Sequence, residues 1–393
     1  MLVILVARWR NAAQLVTMSG THPFTLFANP RAGTPGLVVL PEGGFRRARA
    51  AITGWAEYAP TPLRDLPAIA GGSGVAAVRL KDEAERFGLG SFKALGGSYA
   101  VETLLANKFA RARTEPAAIT VACATDGNHG RAVAWGARRL SCRCVIFVHA
   151  TVSQGRVDAI TALGAEVRRV PGTYDDAVRE AARVAQEENW FVVSDTSWPG
   201  YTEIPRDIMQ GYRLMADEAV DQWQGFRPSH VFIQGGVGGV AAAVSVQMRA
   251  RYKTMPKLIV VEPDKAACLL ASAELGTLAS VPGNLDTVMA GLACGEPSLL
   301  AWQELERGAT AFMAVPDTAA IACMKLLAAE GIVSGESGVA GLAGFLLAAA
   351  NPAARSTLGL GLDSRVLLFS TEGATDPALY TQLVGEITTP AHP

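Results

Sequence analysis

From about residue 76 onward this chain alternates short, nearly unbroken apolar runs with segments of helical length. The runs cover residues 75–80, 119–124, 145–148, 191–194, 231–233, 258–261 and 366–369. Between them, stretches such as 174–188 and 207–223 carry apolar residues at helical spacing. Strands that are apolar on both faces, separated by helices, belong to mostly parallel sheets covered on each side. The sequence therefore predicts an α/β fold, and 393 residues are enough for two packed lobes. The proline- and glycine-rich stretch 30–44 reads as a loop.

In such sheets ligands bind beyond the carboxyl ends of the strands, so the residues after each run matter most. Three of these turns are polar or rich in glycine. They are Thr125-Asp126-Gly127-Asn128-His129-Gly130, Gly235-Gly236-Val237-Gly238-Gly239 and Ser370-Thr371-Glu372-Gly373. The second leads into an alanine-rich helix. Bare glycine backbone lets an anion approach closely, and a helix start offers N–H donors with a favourable dipole. No Lys-Ser/Thr follows and the dinucleotide pattern lacks its third glycine, so the loop suits a phosphate monoester better than a nucleotide. A tight strand–helix turn without ligand is the bland alternative.

Seven of the 35 basic residues are lysines. Lys93 stands apart because it lies in Gly88-Leu89-Gly90-Ser91-Phe92-Lys93-Ala94-Leu95-Gly96-Gly97. At a helix start the dipole disfavours its ammonium form, and a neutral amine is what imine chemistry requires. A solvated surface lysine is the alternative. At the neighbouring strand end, Asp126 and Asn128 offer a base and a hydrogen-bond donor, or merely a helix cap.

Several functions are excluded. A formal net charge of -1 gives no electrostatic case for nucleic acid or an anionic membrane. The opening run MLVILVARWR is too short for a membrane span and has its positive charge on the wrong side for a signal peptide. It reads as an N-terminal strand or as residues ahead of a later start near Met18. The six cysteines and five histidines show no metal-ligand spacing, and the cysteines suit a reduced, cytoplasmic protein. His129 reads as a first-turn residue, and no serine-hydrolase elbow is present.

The Ser91-Phe92-Lys93 motif, the 126–130 run, the glycine loop and Ser370-Thr371-Glu372-Gly373 together resemble the fold-type II pyridoxal phosphate (PLP) enzymes, the tryptophan-synthase-β and threonine-dehydratase group. Within it the chain is most similar to the diaminopropionate ammonia-lyases. The stretches that carry this are Lys81-Asp82-Glu83, Arg86-Phe87-Gly88-Leu89, Tyr201-Thr202-Glu203-Ile204-Pro205, Met209-Gln210-Gly211-Tyr212, Val261-Glu262-Pro263, Met289-Ala290-Gly291 with Cys294-Gly295-Glu296-Pro297, and Ser334-Gly335-Glu336-Ser337-Gly338. The resemblance runs from about residue 55 to residue 376.

The resemblance implies a two-lobed enzyme with PLP between the lobes. Residues 1–96 and 204–393 would form the large domain and 97–203 an inserted small one. Lys93 would hold PLP as a Schiff base, packed beside Phe92, and act as a base. Asn128 would bond the phenolic oxygen, while Gly235, Gly236, Val237, Gly238 and Gly239 would hold the phosphate. Ser370 or Thr371 would meet the pyridine nitrogen, with Glu336 also at the cofactor. Asp126 would be a second base on the opposite face, which would admit both D- and L-substrates. With Asp195 it would also bind a second ammonium group of the substrate. The implied activity is elimination of ammonia from D- and L-2,3-diaminopropionate by a homodimer, yielding pyruvate and two ammonia. A serine/threonine dehydratase, a racemase and a non-catalytic PLP-binding protein are the alternatives. Cys268 and Cys294 match cysteines of the family pattern and are candidates for a bridge near the site entrance, or for separate thiols.

Overall fold

The computed structural model describes residues 22–385 other than Asp126 and Thr173. The apolar N-terminal run lies outside the described residues. Eleven strands form two sheets among them. In chain order they are β1 (Thr25–Ala28), β2 (Leu63–Asp65), β3 (Ala77–Asp82), β4 (Thr120–Ala124), β5 (Arg143–His149), β6 (Glu166–Val170), β7 (Phe191–Val192), β8 (His230–Gln234), β9 (Lys257–Pro263), β10 (Ala311–Val315) and β11 (Arg365–Ser370).

The larger sheet has the order β1-β10-β9-β8-β11-β3-β2, and the smaller has β6-β5-β4-β7. Every pairing is parallel except at the two edges of the larger sheet, where β1 and β2 run antiparallel. All four strands of the smaller sheet lie between residues 120 and 192, so that sheet is contiguous in sequence.

Period-2 alternation divides the core of the larger sheet into two layers. Val231, Ile233, Leu258, Val260, Leu367 and Phe369 face one layer with the Ala94–Ala112 helix and its neighbours. Phe232, Ile259, Val261, Val366 and Leu368 face the other, against the all-apolar Ala340–Ala350 helix. This helix is buried on nearly every side, which is why its sequence, AGLAGFLLAAA, shows no polar face. Both layers are apolar where they meet the sheet, and the polar turns after β4, β8 and β11 lie at the strand ends.

Candidate active site

Lys93 caps the Ala94–Ala112 helix at its N-terminus, and its Nζ lies 2.5 Å from Asp195 Oδ2, just beyond β7. Burial alone would lower the pKa of this amine, but the Asp195 carboxylate outweighs it and holds the pKa above the ordinary lysine value. The structure thus reverses the expectation of a neutral amine: a carboxylate at 2.5 Å acts more strongly than a helix dipole of fractional charge. Burial would likewise raise Asp195, yet Lys93 and then His129 keep it well below the usual carboxylate range. His129 sits in the first turn of the Asn128–Arg139 helix, donates from Nε2 to the Val193 carbonyl at 2.8 Å, and brings Nδ1 within 3.9 Å of Asp195.

Asn128 opens that same helix and donates from Nδ2 to Glu372 Oε2, across from one sheet to the other. Glu372 is buried, and its second oxygen accepts the Ser337 N–H at 3.0 Å. Glu336, one residue earlier, takes Arg156 Nη2 on its Oε1 at 3.1 Å. Burial and the neighbouring Glu372 push Glu336 up to about 7. Ser370 Oγ donates to Ser334 Oγ at 2.7 Å, and Thr371 Oγ1 accepts from Gln234 Nε2 at 3.0 Å. The backbone closes the same region, with Phe92 N–H on the Thr371 carbonyl at 3.1 Å and Gly373 N–H on the Gly90 carbonyl at 2.9 Å.

The glycine loop runs from β8 into the Gly239–Arg251 helix. Gly238 has φ +95°, and a Cβ there would meet Ala301 Cβ at 3.0 Å, so only glycine fits without strain. No side chain caps this helix, which leaves its first-turn N–H groups for an anionic ligand. A Cβ on Gly239 would stand 3.9 Å from the Asp195 carbonyl oxygen, so the loop and the Lys93–Asp195 pair border one space. A half-buried lysine, an amide donor, hydroxyls and a bare-backbone phosphate cradle converge here, a donor set that fits PLP.

The model of the pyridoxal-phosphate-dependent enzymes matches residues 55–364. The chain belongs to this family. It is 43% identical over 354 residues to diaminopropionate ammonia-lyase of Escherichia coli (strain K12), covering 84% of this chain and 88% of that one. It is 39% identical over 357 residues to the Salmonella typhimurium protein of the same name, covering 83% and 88%. A crystal structure of the Escherichia coli ammonia-lyase in complex with D-serine superposes with a TM-score of 0.87 at 38% identity, covering 93% of this chain and 97% of that one. Maize serine racemase, at 19% identity and a TM-score of 0.74 over 88% and 97%, shares the fold alone.

In this PLP-dependent enzyme the structure brings together Phe92, Lys93, Asn128, Asp195, the glycine loop, Glu336, Ser370 and Thr371. Asp126 lies outside the described residues. No disulfide joins Cys268 and Cys294, and all six cysteines are thiols. The two flank Gly236, with Cys268 Sγ 3.6 Å from its carbonyl oxygen and Cys294 Sγ 3.3 Å from where its Cβ would be. Among the described residues no helix is long and apolar enough to cross a membrane, and no cluster of ligands is placed for a metal ion.

Four residues of the site escaped the sequence reading in any individual role: Gln234, Glu372, Arg156 and Tyr212. Gln234 gave one usable signal, a buried polar residue ending an apolar strand next to the glycine loop. Arg156 gave none, because its partner lies 180 residues away.

Proposed function

We propose that this protein eliminates ammonia from 2,3-diaminopropionate, in both D and L forms, giving pyruvate and two ammonia. The observation that carries this reading is the 2.5 Å Lys93–Asp195 ion pair in a chain 43% identical to a diaminopropionate ammonia-lyase. Asn128 and the glycine loop would hold the ring and phosphate of PLP, Ser370 or Thr371 its ring nitrogen, and Lys93 its aldehyde carbon. Glu336 would stand beside the ring. When bound, PLP supplies a carbonyl that condenses with an amine and a ring that acidifies the Cα proton.

Lys93 and Asp195 then divide the work. With its Nζ bound to the cofactor, Lys93 would supply no ammonium to Asp195, and a half-buried carboxylate would be left without its cation. A diamino acid brings one in its second ammonium, whereas serine leaves the carboxylate unpaired at a cost of roughly 1–3 kcal/mol or more. As a free amine, Lys93 Nζ would take the Cα proton from one face. Asp126 would take it from the other, which is how one site would serve both enantiomers. A hydroxyl beside the ring nitrogen, in place of a carboxylate, favours elimination over transamination.

The resemblance further supports residues 97–203 as a small domain inserted between 1–96 and 204–393, a homodimeric assembly and a cytoplasmic location. Light scattering on the purified protein tests the dimer.

The deciding experiment measures pyruvate from D- and L-diaminopropionate and, separately, from D- and L-serine. Rapid turnover of both diaminopropionate enantiomers with slow serine turnover is expected; activity on serine or threonine alone overturns the reading. Lys93→Ala should lose the visible absorbance of the holoenzyme and its turnover. Asp126→Asn should impair the D-substrate far more than the L.

A further inference from the structure

The helices Ala94–Ala112 and Glu203–Gln222 touch backbone to backbone. A Cβ on Gly211 would lie 1.9 Å from the Leu95 carbonyl oxygen, and one on Gly96 would lie 2.4 Å from Tyr212 Cε1. Glycine at both contact points is the only way two helices approach so closely. The consequence is that Tyr212 is delivered to the start of the Lys93 helix. Its ring centroid stands 4.6 Å from that of Phe92 and 5.9 Å from Lys93 Nζ.

Tyr212 is 2% exposed, and its hydroxyl makes no well-formed hydrogen bond to any group of the protein. Buried hydroxyls nearly always have partners, and one without calls for an explanation. Burial raises the pKa of this phenol, while the Lys93 ammonium lowers it, both by its charge and as a hydrogen-bonding neighbour, and the Asp195 carboxylate raises it. The hydroxyl thus stands within reach of the Lys93 amine, although the two do not form a full hydrogen bond. During turnover Lys93 must leave Asp195, for the proposed substrate brings its own ammonium to that carboxylate. The amine then needs a second acceptor, close by and uncharged, so that its basicity survives.

We propose that Tyr212 is a positioning residue of the elimination. Its hydroxyl oxygen accepts one N–H of Lys93 Nζ when Nζ is released from Asp195, and this aims the nitrogen lone pair at the Cα–H of a small amino acid. The proton passes from Cα to Nζ, turning the amine into an ammonium that the same oxygen continues to hold. Tyr212 itself neither gains nor loses a proton. The proposal rests on the reading of Lys93 as the cofactor lysine.

Tyr212→Phe removes only the oxygen and tests this. The variant should fold and melt at the wild-type temperature or slightly above, and should bind PLP with its visible absorbance. Its kcat on L-diaminopropionate should fall about tenfold or more with KM little changed, and D-diaminopropionate should be affected far less. The pH midpoint at which the holoenzyme's visible absorbance changes, measured without substrate, should also move. Unchanged kcat and an unchanged midpoint would overturn the proposal. So would an equal loss on both enantiomers, or a variant that fails to fold, since either gives the hydroxyl a structural role. Lys93→Ala separates the two levels: if it keeps the visible absorbance, the cofactor-lysine reading fails first; if it loses it while Tyr212→Phe behaves as wild type, only the Tyr212 proposal fails.

Discussion

The Arg156 guanidinium, in the Gln154–Thr161 helix beside the smaller sheet, reaches Glu336 Oε1 at 3.1 Å on the larger-sheet side of the cleft. Two further links run the same way. Ser153 Oγ donates to Asp376 Oδ2 at 2.8 Å, and Asn128 donates to Glu372. The proposed cofactor ligands Asn128 and Glu336 therefore belong to one polar seam joining the two sheets.

Arg156→Ala should break this seam. Glu336, with its side chain 4% exposed, would be left without a countercharge beside a second buried carboxylate. Removing one member of such a pair costs about 3–5 kcal/mol when both stay charged and fully buried. Glu336 can instead keep its proton and Arg156 keeps 15% exposure, so a loss of about 1 kcal/mol near pH 7, growing at higher pH, is expected. Thermal melting gives the size, and a parallel rise in KM for the amino-acid substrate would show that the seam also helps form the substrate site.

Glu336 makes stability depend on pH in a definite direction. Its folded pKa is about 7 against an ordinary value of 4.5. Between those values the folded chain holds a proton that the unfolded chain has released. Stability from this group is therefore greatest at low pH and declines as pH rises from 4.5 through about 7, by up to about 3 kcal/mol in all. Glu336→Gln should flatten that slope. Urea unfolding of both proteins near pH 5 and pH 8 measures it, and parallel slopes would remove Glu336 as the cause.

The elements legible in the sequence were those with uniform surroundings. All seven apolar runs form strands; six are interior strands of their sheets, marked by composition because both faces are covered, while the seventh, β7, is a two-residue edge strand. The strands the runs did not reveal have other environments. β1 and β2 are short antiparallel edges, and β6 is an edge strand of Glu-Val-Arg-Arg-Val with partly exposed side chains. β10 is fully buried, but Ala-Phe-Met-Ala-Val contains three residues that favour helices as much as strands. The site divides in the same manner. Lys93, Asn128 and the glycine loop announce themselves through local motifs. The charge on Lys93 and the reach of Arg156 depend on partners more than 100 residues away, which no local pattern encodes.

Gly211→Ala should be far more damaging than its size suggests. The added methyl would stand 1.9 Å from a backbone oxygen, and neither helix can yield without moving Lys93 or Tyr212. A loss of about 3 kcal/mol or more is expected, with weakened PLP binding. Gly155→Ala provides the contrast. It lies in a helix with nothing within 4 Å of the new Cβ, so it should stabilise the chain by about 0.5–1 kcal/mol. Melting temperatures of the two variants check both signs.

Glu262 closes β9 with no exposed surface, and its oxygens accept the Leu269 and Leu270 N–H groups at 2.8 Å each, capping the Cys268–Leu275 helix. Two N–H donors favour the carboxylate, yet burial prevails and pushes its pKa up to about 8. The folded chain thus keeps a proton between 4.5 and about 8 that the unfolded chain gives up, so this group's contribution weakens as pH rises across that window. Glu262→Gln replaces one accepting oxygen by an NH₂ group, which sacrifices about 1 kcal/mol of capping but carries no charge to bury. The variant should be less stable than wild type near pH 5 and should gain on it steadily up to about pH 9. Chemical unfolding of the pair at both pH values isolates Glu262, because every other titrating group cancels in the difference. A difference independent of pH would mean that the two helix N–H groups, and not burial, govern this carboxyl.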